Sequence, residues 1–169
     1  MGVTLIKGQQ QALKCLVGSA TPPASYYIAL LTKIQNVGVG SAVDPTSTEV
    51  NISSGASSSS NLTEDAVATD ANYVRTGYTN SAGWTETDGS TGNPTQIVNA
   101  NAITITVPTG GLTSIVGWAL CVGSAIGTAD ALCAGAFNTA QQGTYLAAES
   151  LSIAAGAMVI TAQDKTVAN

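Results

Sequence analysis

Apolar and polar positions along this chain fall into short segments of two kinds. In "AITITV" (102–107), Ile103, Ile105 and Val107 alternate with Thr104 and Thr106, the period of a strand with one buried face. Pro108 stops that run and "TGG" supplies a turn. The next segment, "SIVGWALCV" (114–122), is almost wholly apolar, which predicts a central strand, with Gly117 admitting close approach of a neighbour. "YYIALLT" (26–32) is of the same continuous kind and predicts a strand covered on both faces or lying at a subunit contact. "NYVRTGYT" (72–79) alternates, with Tyr73, Arg75, Gly77 and Thr79 on one side and Val74, Thr76 and Tyr78 on the other. "ALCAGAF" (131–137) follows, and "LSIAAGAMVIT" (151–161) predicts two short strands around Ala155 and Gly156.

The exceptions are at the N-terminus and between the first strands. Residues 4–17 place Leu5, Gln9, Ala12, Leu13, Leu16 and Val17 on one side at helical spacing, and Gly18 stands where a helix commonly ends in a left-handed residue. Gly8 weakens the first turn, so an extended arm over residues 1–20 is the alternative. Pro22 and Pro23 then break the chain. Residues 37–69 are rich in serine, glycine and threonine and poor in large apolar side chains, which predicts an extended loop or arm that orders against a partner. On this reading residues 40–68 can be deleted without unfolding the rest. A second turn-rich stretch, 79–94, carries Trp84 on a short strand.

About seven to nine short strands with one helix make a mainly β chain, and the expected architecture is a single antiparallel β-sandwich or jelly-roll domain over residues 1–169. A chain of 169 residues is long enough to bury a core without staples.

Composition narrows the function classes. Charged residues are 9% of the chain, well below the roughly 25% of an average soluble domain, so the expected surface is neutral-polar and partly covered by neighbours. The net charge of −5 and the scattered Lys7, Lys14, Lys33, Arg75 and Lys165 exclude a nucleic-acid surface, which needs clustered cations. No apolar run reaches a membrane span, and "MGVTLIKGQQQ" lacks the features of a secretory signal, so a cytosolic origin is expected. Cys15, Cys121 and Cys133 read as buried thiols, with Cys121 and Cys133 as possible neighbours and any disulfide between them incidental.

Reactive constellations are scarce. With no histidine, neither a Ser-His-Asp triad nor a Cys-His pair can form, and no phosphate-cradling loop is present. Glu64, Asp65, Asp70, Glu86 and Asp88 could in principle supply paired carboxylates or oxygen ligands for calcium, but they fall in turn-rich stretches better read as solvated loop. The expectation is a non-enzyme without cofactor or metal. Tyr26 and Tyr27, Trp84, and Leu62 and Val67 in the arm are the candidate partner contacts.

The order "YYIALLT", "NYVRTGYT", "NANAITITVP", "IVGWALCVG", "ALCAGAF", "LSIAAGAMVIT" resembles a family of small tailed-bacteriophage virion proteins, the head-decoration and tail-fibre-like proteins. Their pattern is a short N-terminal helix, a "LALxT" strand, a "Y-x-R" strand, an "N-x-A-x-I-x-F-P" strand, a "T-x-x-G-x-A" strand and a closing "AG-x-x-x-I-T" hairpin. The matching positions are 30–32, 73–75, 101–108, 117–119 and 155–161. Two departures are the longer, serine-rich 37–69 segment and Val107 where an aromatic precedes the proline. The resemblance implies a β-sandwich virion component assembled in the host cytoplasm. Its expected role is capsid decoration or cement on the major capsid protein, as a homo-oligomer such as a trimer. A tail fibre, adaptor or receptor-binding component is the alternative.

Overall fold

The computed structural model describes residues 2–4, 6–34, 37–38, 42–43, 52–54, 62–64, 72–79, 83–87, 96–126 and 131–161. The N-terminal half contains β1 (Gly2–Thr4), α1 (Ile6–Leu16), β2 (Ser25–Ile34), β3 (Val37–Gly38), β4 (Ala42–Val43), β5 (Ile52–Ser54), β6 (Leu62–Glu64) and β7 (Thr76–Thr79). The remainder contains β8 (Trp84–Thr87), β9 (Gln96–Asn99), β10 (Ile103–Thr106), β11 (Leu112–Ile115), β12 (Gly117–Cys121), β13 (Ala131–Ala136), β14 (Gly143–Tyr145), β15 (Ser150–Ile153) and β16 (Val159–Thr161). The protein is mainly β, as its alternating patterns predict. Among the described residues no helix is long and apolar enough to cross a membrane.

Among the described residues ten strands form one large sheet in the order β5-β6-β2-β12-β13-β1-β16-β9-β8, with β7 also paired to β2. Pairing is antiparallel except for β1 with β16 and β5 with β6, which are parallel, so the purely antiparallel expectation needs correcting at those two places. The first arises because β1, from the N-terminus, is inserted between β13 and β16. Three smaller ladders join β10 to β15, β11 to β14 and β3 to β4.

The nearly continuous apolar runs form the centre of the large sheet. β12 lies between β2 and β13, with Trp118 opposite Leu30 and Gly135, and all five of its residues are buried. Alternation then sorts side chains by size. Ile28, Leu30, Trp118, Leu120 and Cys133 enter one cluster, and Ala29, Leu31, Ala119, Cys121, Ala131 and Ala134 enter another. The first cluster also receives Ile103, Ile105, Leu151 and Ile153 from β10 and β15, and Leu112 and Ile115 from β11. Thr104 and Thr106 face outward, as the sequence pattern predicts. Each of these buried aliphatic side chains contributes about 1.5–3 kcal/mol relative to exposure.

The large sheet cannot be flat. β2 and β8 are six steps apart in the strand order, roughly 29 Å in a flat sheet at about 4.8 Å per step. Yet the ring centroids of Tyr26 and Trp84 lie 6.5 Å apart, and those of Tyr78 and Trp84 5.3 Å apart. The sheet therefore curls until β8 meets β2 and β7 through these aromatic rings, which pack against the first cluster. Buried Asn99 fixes the adjoining hairpin, donating to Asn101 O and Ala154 O and accepting from Met158 N, all at 2.8 Å.

Several expectations change. The 114–122 run is two strands divided at Val116, with β11 pairing to β14 and β12 joining the large sheet. The described parts of 37–69 are strands, and β6 belongs to the large sheet. Helix α1 forms and is followed by a turn at Gly18, whose φ is +70°. Leu13 and Leu16 in its last turn and Val17 just after it are nevertheless 62%, 81% and 75% exposed. Gly8 is buried and Gln11 and Cys15 are half-buried on the opposite side, so the predicted apolar stripe faces outward. The reason is register: the small residue at position 8 occupies the side turned to the protein, and α1 packs on β13.

Gly117 has no room for a side chain, because a Cβ there would meet the Gly135 carbonyl oxygen and lie 2.5 Å from Ile34 Cδ1. Gly117→Ala is expected to destabilise the fold by at least about 1–3 kcal/mol, read as a lowered midpoint in urea unfolding.

Candidate functional site

The chemistry-bearing side chains gather where one edge of β2 changes partner. Tyr27 and Ile28 pair with both β7 and β12, and Leu31 pairs with both β6 and β12, so β6 and β7 share the edge of β2 opposite β12. They run end to end along it, with Glu64 opposite Leu31 and Thr76 opposite Ile28. Between those positions no strand among the described residues pairs with this edge of β2. The Tyr73 hydroxyl fills the break, accepting from Leu30 N at 2.8 Å and donating to Glu64 Oε1 at 3.2 Å.

Arg75 closes the arrangement. Its Nε donates to Glu64 Oε1 at 2.8 Å and its Nη2 to Glu64 Oε2 at 2.9 Å, a bidentate pair with both side chains removed from solvent. Nη1 donates to Gly123 O at 2.8 Å, which ties the turn after β12 to the same point. Burial pushes the Tyr73 phenol well above 10.0, and the Glu64 carboxylate adds to the shift. Both Glu64 oxygens are engaged and sealed from water, so this carboxylate is placed to brace the sheet and not to meet a substrate. Glu64 thus leaves the solvated-loop group in which its sequence surroundings place it.

The other sequence candidates scatter. Glu86 is exposed on β8, while Asp65, Asp70 and Asp88 lie outside the described residues. Tyr26 and Trp84 are brought together, with Tyr78 as third member, in edge-to-face contacts at interplanar angles of 86° and 83°. Tyr78 Oη donates to Gly83 O, and Trp84 Nε1 is buried without a hydrogen-bond partner. Tyr27 points to the opposite face, beside Ile34 and the alanine cluster, with its ring over Gly77. Leu62 lies in β6 opposite Ile34, and Val67 lies outside the described residues.

Cys121 and Cys133 are close in the chain pairing but belong to opposite faces of the sheet, and neither forms a disulfide. Burial pushes the Cys133 thiol from 9.0 up to about 12. Among the described residues no group of three or more His, Cys, Asp or Glu side chains could hold a metal ion. Residues suited to contact with another molecule are instead exposed apolar ones, which among the described residues are Leu13 and Leu16 on α1, Val17 just after it, Ile97 on β9, and Val74, Val122 and Leu146. The stripe on α1 is visible in the sequence, but periodicity does not say which way it faces. Comparison with protein-family models and with curated proteins gives no match.

Glu64→Gln strands the buried Arg75 charge and is expected to cost about 3–5 kcal/mol of stability, whereas Glu64→Leu combined with Arg75→Met should lose less than Glu64→Gln alone. Urea denaturation of the two variants beside the wild type checks this; equal or larger loss in the double variant would show that the groups act separately. For the same reason deletion of 40–68, which removes Glu64, is expected to abolish cooperative melting and so to reverse the sequence expectation.

Alkaline pH offers a separate test. The unfolded chain releases the Cys133 proton near pH 9.0 while the folded chain holds it to about 12. Stability from this group is full below pH 9.0 and falls as pH rises toward 12. Tyr73 acts in the same direction. Cys133→Ala should flatten the decline of the unfolding midpoint over that range, and an unchanged slope would assign the decline to other groups.

Proposed function

We propose that this chain is a structural virion protein of a tailed bacteriophage, a capsid decoration or cement protein that binds the major capsid protein, and that its core is a β-sandwich or jelly roll. The sandwich reading is supported by the first apolar cluster, to which one face of the large sheet and the β10–β15 and β11–β14 ladders all contribute. The sequence order of strands and its likeness to the head-decoration family supply the virion reading.

The observation that carries the role is where the polar groups are used. Glu64, Arg75, Tyr73 and Asn99 are buried and committed to joining strands, while α1 turns large apolar side chains outward. That is the disposition of a rigid module that works by contact. A low-charge surface suits it, since few charges must be stripped of water when copies or partners cover it. The tail reading shares this physics and differs in location.

Heads and tails separated from disrupted virions, followed by quantitative mass spectrometry of the chain, decide between them. The chain is expected to fractionate with heads at a fixed ratio to the major capsid protein. Recovery with tails alone would overturn the decoration role in favour of the tail component, and recovery with neither would overturn the virion assignment.

A further inference from the structure

Charge is divided unevenly along the chain. Residues 1–43 contain Lys7, Lys14 and Lys33 and no acid, a net of +3, whereas residues 44–169 carry ten acids against Arg75 and Lys165, a net of −8. Helix α1 lies in the basic part. Its outer face presents Leu13 and Leu16, with Val17 directly after the helix, at 62%, 81% and 75% exposure, and Lys14 flanks them.

A complementary surface exists on the same molecule. Across β16, β9 and β8 the register places Ile160, Ile97 and Glu86 in one row. Ile160 packs at the margin of the first apolar cluster, Ile97 is 40% exposed, and exposed Glu86 stands on the last strand of the sheet. The row is therefore an apolar strip ended by a carboxylate at the periphery. Among the described residues Leu146 and Glu149 form another exposed apolar and acidic pair, but Glu149 Oε2 already accepts from Leu146 N at 2.7 Å.

We propose that copies of this chain associate head to tail, with the outer face of α1 of one copy seated on the Ile160–Ile97–Glu86 row of the next and Lys14 meeting Glu86. Two-fold packing of α1 against α1 is disfavoured, because the helix carries lysines and no acid and would oppose like charges. A head-to-tail contact is heterologous, so it builds a ring where the rotation closes and an open array where it does not. Three aliphatic side chains on one helix bury less than the roughly 1,200 Å² of a stable pairwise interface, so each contact is weak and gains strength from repetition. This deepens the assembly reading above and can fail while that reading stands, since the purified chain alone tests it and particles are not needed.

Sedimentation velocity of the purified full chain over a concentration series, at low and at physiological ionic strength, is the test. Wild type is expected to associate with rising concentration, more strongly at low salt. Lys14→Glu and Glu86→Lys should each weaken association about tenfold, and the double exchange should restore it. Leu13→Ser with Leu16→Ser should abolish association while circular dichroism and the unfolding midpoint stay unchanged. A wild type that remains monomeric throughout overturns the proposal. So does association that Glu86→Lys leaves unaltered, or single losses that the double exchange does not repair; these outcomes would place the occupant of α1 elsewhere.

Discussion

The architecture hangs on the ion pair between Glu64 and Arg75 at the interruption of one sheet edge. β6 and β7 approach the same edge of β2 from segments separated in sequence, and each is too short to define its own register. A bidentate guanidinium–carboxylate contact tolerates little displacement. Slipping β6 by one residue would turn Glu64 to the other face and leave two buried charges unmatched. The pair therefore acts chiefly on specificity. Tyr73 completes the logic by giving Leu30 N a partner where no strand is available.

Around that point the two faces of the sheet are built differently. Large aliphatic and aromatic side chains occupy the concave side, where curling brings Tyr26 and Tyr78 against Trp84. Alanines and Cys121 occupy much of the other side. A surface of small side chains lets neighbouring backbone come close, while the large ones fill the volume enclosed by the curl. Gly117, under Ile34 and against the Gly135 carbonyl, leaves no space for a Cβ in that packing.

Much of this was legible in the chain. Ile103, Ile105 and Val107 announced their buried face by alternation, and the continuous runs of β2 and β12 announced burial on both sides. Gly156, with φ of +76°, forms the turn that its sequence position suggested. What escaped has a common cause, the weakness of local pattern in very short strands. β1, β9 and β14 are three or four residues long and take their conformation from partners far away in sequence. The commitment of Glu64 was hidden likewise, because its surroundings are those of a loop and only the distant Arg75 and Leu31 make it a core residue. Helix α1 shows the complementary lesson: Leu13, Leu16 and Val17 have the right spacing for an apolar face, but spacing carries no direction.

The placement of β1 bears on how such a molecule is made. Residues 2–4 lie between β13 and β16, with Gly2 opposite both Gly135 and Ile160. Nearly the whole chain must exist before that central slot has two walls. Loop closure over such separations is entropically slow relative to hairpin formation, so the sheet's last act of folding joins its earliest segment to its latest. Until then the inward edges of β13 and β16 are open to other chains, and crowding during synthesis would act on that interval.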